Sequence, residues 1–127
     1  MNGANLDLNA SITQIGRNVI VTISDNMADD RIHEISDIII EQAHRSGASG
    51  AILNFAMVSM IDSYIYKTFE STSRALTLFG VKVVWVGLSP GVVCSMIDLG
   101  IEPDENVMHT AMTLEQGLAE LAGMAAQ

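Results

Sequence analysis

A single α/β domain with a mixed, mostly parallel sheet is the fold that this 127-residue sequence predicts. Strand-like apolar runs alternate along the chain with stretches of helical period, the pattern of a sheet crossed by helices. No repeat, linker or low-complexity tract interrupts that alternation. The composition agrees: 49% hydrophobic and 17% charged residues exclude intrinsic disorder. A chain of this length buries one core and is too short for two.

The elements follow in order. Leu6, Leu8, Ala10 and Ile12 alternate with Asp7, Asn9, Ser11 and Thr13, the period of a half-buried strand. Gly16-Arg17-Asn18 is turn chemistry, and the β-branched run Val19 to Ile23 completes an opening hairpin. Ala28, Ile32, Ile35, Ile39 and Ala43 make one apolar stripe, which predicts a helix over 29–46. Asp29 and Asp30 in its first turn and His44 and Arg45 in its last complement the helix dipole, and Gly47 stands at C′.

Ala51 to Phe55 reads as a short buried strand. A helix from Ser63 is expected to turn Ile65, Phe69, Leu76 and Phe79 inward and to stop at Gly80. Val81 to Val86 is nearly continuous in apolar residues, as a strand covered on both faces requires. Ser89 as N-cap and Pro90 at N1 open a third helix that ends at Gly100. Asn106 to His109 is expected as a short edge strand. Thr113-Leu114-Glu115-Gln116 is a capping box, with Gln116 expected to reach back to Thr113, and it opens a last helix carrying Leu114, Leu118 and Leu121. The sum is a hairpin and four helices in one domain over 1–127.

Several functions are excluded or disfavoured by composition. Six basic against fifteen acidic residues give a net charge of −9, which argues against nucleic acid as a partner. One cysteine builds no disulfide framework, and Cys94, inside the apolar turn Val92 to Met96, is expected to be a small buried hydrophobe. His33, His44 and His109 lack metal-ligand spacing and are expected to be solvated. Residues 1–7 show neither the basic start nor the apolar core of a signal peptide. The uncharged stretch Val83 to Ile97 is broken at Ser89-Pro90-Gly91 and falls short of the roughly 20 residues of a membrane span. The expectation is a cytoplasmic protein without a membrane segment. There is no Gly-x-Ser-x-Gly elbow and no phosphate-cradling loop between a strand and a helix, so neither enzyme activity nor a cofactor is expected.

Two segments stand out. In Met57-Val58-Ser59-Met60-Ile61-Asp62-Ser63-Tyr64, the apolar Met57, Met60 and Tyr64 surround a polar Asp62-Ser63 pair. The ordinary reading makes Asp62 or Ser63 a helix N-cap. The functional reading is an exposed hydroxyl ringed by adaptable apolar side chains, suited to a protein interface. In Ser89-Pro90-Gly91-Val92-Val93-Cys94-Ser95, the ordinary reading of Ser95 is a solvated helix serine.

At these residues the chain resembles a STAS domain, the family of anti-sigma-factor antagonists, and within it the scaffold branch of the bacterial stressosome. The resemblance runs from the hairpin to the last helix. It is carried by Ser59-Met60-Ile61-Asp62-Ser63-Tyr64-Ile65, Val86-Gly87-Leu88-Ser89-Pro90, Ile97-Asp98-Leu99-Gly100-Ile101 and Leu114-Glu115-Gln116-Gly117-Leu118. It implies a non-enzymatic scaffold that holds a serine/threonine kinase and releases it when Ser63 is phosphorylated, with Asp62 orienting the hydroxyl. Ser95 matches a second regulatory hydroxyl of co-antagonist relatives. Met57, Ser59, Met60, Asp62 and Tyr64 would form the partner-binding switch loop.

The implied partners are sensor-bearing STAS co-antagonist subunits and further copies of the chain, in a large complex. Asn54 stands where the family strand usually carries Asp, and Ser63-Tyr64 replaces the Ser-Gly of simple monomeric antagonists, a difference that favours the scaffold branch. A monomeric antagonist of an anti-sigma kinase is the alternative. An α/β enzyme with its site at the strand carboxyl ends is the alternative from another class.

Overall fold

In a computed structural model that describes residues 10–25 and 29–125, those described residues fold as five strands and four helices. Strands β1 (Ala10–Ile15) and β2 (Asn18–Ser24) form the hairpin, and helix α1 follows over Asp29–Ser46. Then come β3 (Gly50–Met57), α2 (Ser63–Leu78), β4 (Lys82–Val86), α3 (Pro90–Asp98), β5 (His109–Ala111) and α4 (Leu114–Ala125). Leu6, Leu8 and Ala28, which belong to the predicted strand and helix stripe, lie outside the described residues.

The sheet order is β1-β2-β3-β4-β5, antiparallel in the hairpin and parallel in every later pair. Period-2 alternation sends the residues of each central strand to two faces. Val21, Leu53, Phe55 and Trp85 face a large core closed by Ile35 and Ile39 of α1, Phe69 and Leu76 of α2, and Val92 and Met96 of α3. Ile20, Ile52, Val84 and Val86 face the other way and are covered by Leu121, Leu114 and Leu118 of α4. The continuous apolar run of β4 thus has the two-sided burial its composition called for. Gly117 lets α4 approach closely, since a Cβ there would stand 2.7 Å from Val86 Cγ1.

Four details differ from expectation. Phe79 is not inward: it is the C-cap of α2, half exposed, with its ring 5.0 Å from that of His44. The last strand begins at His109, because Asn106 and Val107 lie in a turn bonded to Asp104. Gln116 reaches Met112 N–H at 3.1 Å, one residue before Thr113, whose own hydroxyl accepts from Gln116 N–H. Cys94 is exposed, because α3 turns Val92 and Met96 inward and Cys94 away.

Gly87 joins β4 to α3 at φ 75°, and a Cβ there would meet Ala56 N at 2.8 Å. Both the left-handed backbone and the overlap with β3 main chain oppose any side chain. Gly87→Ala is expected to destabilise the fold by about 1–3 kcal/mol, read as a lower urea midpoint at unchanged m-value.

Tyr66 is buried and its hydroxyl donates to Glu70 Oε2 at 3.3 Å. Burial first, and the Glu70 charge second, push its pKa from 10.0 up to about 12. The folded state therefore keeps a proton that the unfolded chain gives up. The resulting stability is complete below pH 10 and is lost as pH rises toward 12. An absorbance titration of the two tyrosines should find one phenol ionising only near pH 12.

Candidate functional site

The carboxyl ends of β3 and β4 meet the heads of α2 and α3, and the serine-rich segment lies there. Its presentation begins with a register shift. Thr22 pairs with Asn54 and Ser24 with Met57, so β3 carries one extra residue over that interval. Such a bulge re-aims the side chains that follow it. Ala56 and Met57 are consequently both exposed, Met57 at 65%. Asn54 Oδ1 accepts Ala56 N–H at 3.0 Å and supports this bend locally.

Beyond β3 the loop alternates between anchors and free side chains. Val58 and Ile61 are plugged into the main core at 5% and 2% exposure. Met60 between them is 70% exposed, and Tyr64 on the first turn of α2 is 39% exposed. Tyr64 stands edge-on to His33 of α1, ring centroids 5.7 Å apart. Met57, Met60 and Tyr64, the apolar residues that flank Ser63 in the sequence, are thus all exposed.

The choice of cap is settled by geometry. Asp62, in extended backbone, accepts Ile65 N–H at 2.8 Å and is the N-cap of α2. Its carboxylate is used for capping, and among the described residues no hydrogen bond joins it to the Ser63 hydroxyl. Ser63 follows as the first helical residue, exposed, with no hydrogen-bond partner among the described residues.

The neighbouring serines are all engaged. Ser59 donates its hydroxyl to Asp25 Oδ2 at 2.5 Å and its amide to Asp25 Oδ1 at 2.9 Å. Ser89 caps α3 by accepting Val92 N–H at 3.2 Å. Ser95, half-buried, donates to Gly91 O at 2.9 Å. Asp25 was not singled out in the sequence. The two Ser59 bonds hold its carboxyl below the usual carboxylate range. They favour the charged form, so this contribution is complete at neutral pH and is lost as pH falls through the lowered value.

The described residues contain no group of His, Cys, Asp or Glu able to hold a metal ion. No helix among them is long and apolar enough to cross a membrane.

A five-stranded mixed sheet with an antiparallel opening hairpin, and an exposed serine behind the Asp62 cap of α2, define an α/β domain with a loop-and-helix-head site at the carboxyl ends of its strands. The chain belongs to the STAS domain family, whose profile matches residues 9–117. Among solved structures it is similar to RsbS of Moorella thermoacetica carrying a serine-to-glutamate change, with 20% identity and a TM-score of 0.80 over 93% of this chain and 98% of that one. It is also similar to a chain of the stressosome, described as a signal integration and transduction hub, with 21% identity and a TM-score of 0.78 over 92% and 100%. The unphosphorylated anti-sigma factor antagonist SpoIIAA follows at 19% identity and a TM-score of 0.71, over 90% and 96%. At these identities the likeness is one of fold. No curated protein sequence matches the chain.

Proposed function

We propose that this STAS domain is a non-enzymatic scaffold and switch that holds a serine kinase and releases it when Ser63 is phosphorylated. One observation carries the reading: Ser63 is exposed and without a hydrogen-bond partner among the described residues, and Met57, Met60 and Tyr64, which flank it in the sequence and in this reading form a rim about it, are exposed as well. Exposed methionines and a tyrosine suit a surface that repacks against a protein partner. A phosphate on Ser63 adds about −1.5 to −2 charges at the centre of that rim. The domain already carries a net −9, so the new charge is repelled by the protein around it and opposes an apolar contact.

Assembly with sensor-bearing STAS subunits and with further copies of the chain belongs to the same reading. Leu78, Ile97 and Met112 are 87%, 68% and 80% exposed, apolar surface well beyond the switch rim. A monomeric antagonist is the second reading, favoured by the SpoIIAA-like fold. Gel filtration with a sensor-bearing STAS partner separates the two: a large particle supports the scaffold, while persistent monomer at micromolar concentration supports the antagonist.

The acceptor is tested by phosphopeptide mapping after kinase and ATP treatment. Phosphate is expected on Ser63 and not on Ser95, whose hydroxyl is already donated to Gly91 O. Phosphate on Ser95 alone would overturn the assignment.

A further inference from the structure

We infer that Asp25 is a positioning residue that pins the switch loop through Ser59 and so leaves Ser63 as its free phosphate acceptor. The acceptor half of this inference rests on the phosphorylation reading above; the pinning half does not.

Two exposed serines stand four residues apart, Ser59 in the loop and Ser63 at the head of α2, and residue type and exposure do not separate them. Their surroundings do. The Asp25 carboxylate, one residue beyond β2, takes both the amide and the hydroxyl of Ser59. Hydrogen bonds to an ionised acceptor are roughly twice as strong as neutral ones. On its other side Ser59 lies against α3: a Cβ at Gly91 would come 3.2 Å from Ser59 O. Val58 and Ile61 fix the chain before and after it. Ser59 is thus a node joining β2, the loop and α3, while Met60 and Ser63 project from the framework it fixes.

Phosphoryl transfer from a nucleoside triphosphate forms a bond from serine Oγ to the γ-phosphorus. It breaks the bond from that phosphorus to the β,γ-bridging oxygen, releases the diphosphate and passes the hydroxyl proton to a kinase base. The acceptor oxygen must approach the phosphorus to about 3–3.5 Å with its proton free for that base. The Ser59 proton is held by Asp25, and the Asp25 charge stands where a polyanionic phosphate would have to come. The Ser63 proton has no hydrogen-bond partner among the described residues, and the neighbouring Asp62 carboxylate is engaged by the Ile65 amide rather than by the serine.

The test uses the full chain, its Asp25→Ala and Asp25→Asn variants, and the double variant Asp25→Ala/Ser59→Ala. The kinase is the one recovered on the wild-type domain, supplied with ATP. Wild type is expected to carry phosphate on Ser63 alone. Asp25→Ala is expected to carry it on Ser59 as well, a signal absent from the double variant. Asp25→Asn, which keeps an acceptor oxygen for the amide, should fall between.

Hydrogen exchange without kinase reads the pin directly, with the Ser59 amide exchanging about tenfold faster or more in Asp25→Ala. Phosphate confined to Ser63 in Asp25→Ala overturns the acceptor half. Unchanged exchange at Ser59 overturns the pinning half. Failure of wild type to take phosphate on Ser63 overturns the phosphorylation reading and the acceptor half with it, and exchange at Ser59 still decides the pin.

Discussion

Ser63→Ala should lock the kinase on the domain in the presence of ATP while leaving the fold intact. The hydroxyl has no described partner, and Asp62 rather than Ser63 caps α2, so its removal is expected to cost under about 0.5 kcal/mol. Ser63→Asp supplies one charge instead of nearly two and lacks the third oxygen of a phosphate, so it should release the kinase only in part. Salt separates the two physical routes to release. Exposed charges are screened beyond about 8 Å at physiological ionic strength. Release by phosphate should weaken with salt if repulsion by the acidic domain dominates, and persist if desolvation within the apolar rim dominates. Retention on immobilised wild type, Ser63→Ala and Ser63→Asp, with and without ATP at two salt concentrations, reads all of this. Equal retention by all three in ATP would reduce Ser63 to an ordinary helix residue.

Trp85→Ala should cost about 3–5 kcal/mol, enough to threaten a domain of this size. Trp85 is fully buried in β4, its ring 4.7 Å from Phe55 and 5.6 Å from Tyr66. Its Nε1–H donates to Ser73 Oγ at 3.0 Å, and Ser73 in turn donates to Phe69 O at 2.8 Å. The substitution opens a cavity between sheet and α2 and leaves the Ser73 hydroxyl short of one donor. Trp85→Phe, which keeps most of the volume and loses only the bond, should cost about 1–2 kcal/mol. Urea denaturation of both variants checks the order, and equal losses would mean that the bond, not the volume, dominates.

Elements with a strong period were legible in the sequence because one physical cause sets them. The helix over 29–46, the capped heads at Asp62 and Ser89 and the two-sided strand β4 follow from apolar spacing and capping chemistry within a few residues. The misreadings fall where distant packing decides. Phe79 has the spacing of an inward residue, but the helix ends beneath it and His44 takes the ring. Cys94 sits in an apolar string, yet a one-sided helix buries only part of that string.

At the candidate site, the apolar Met57, Met60 and Tyr64 that flank Ser63 were readable in the sequence. The bulge that exposes Met57 and the Asp25 bonds to Ser59 were not, since both join segments more than thirty residues apart in the chain.

Strand order that follows chain order bears on how the molecule is made. Each new parallel strand finds its partner in the strand synthesised just before it, separated by a single helix. The sheet is therefore able to grow from its hairpin as a chain leaves the ribosome, without waiting for a distant segment. The exception is the face formed by Ile20, Ile52, Val84 and Val86, which stays bare until α4 arrives. A nascent chain stalled before Leu114 would show that greasy face to the chaperones of the cell, and completion of the last helix is the event that ends its exposure.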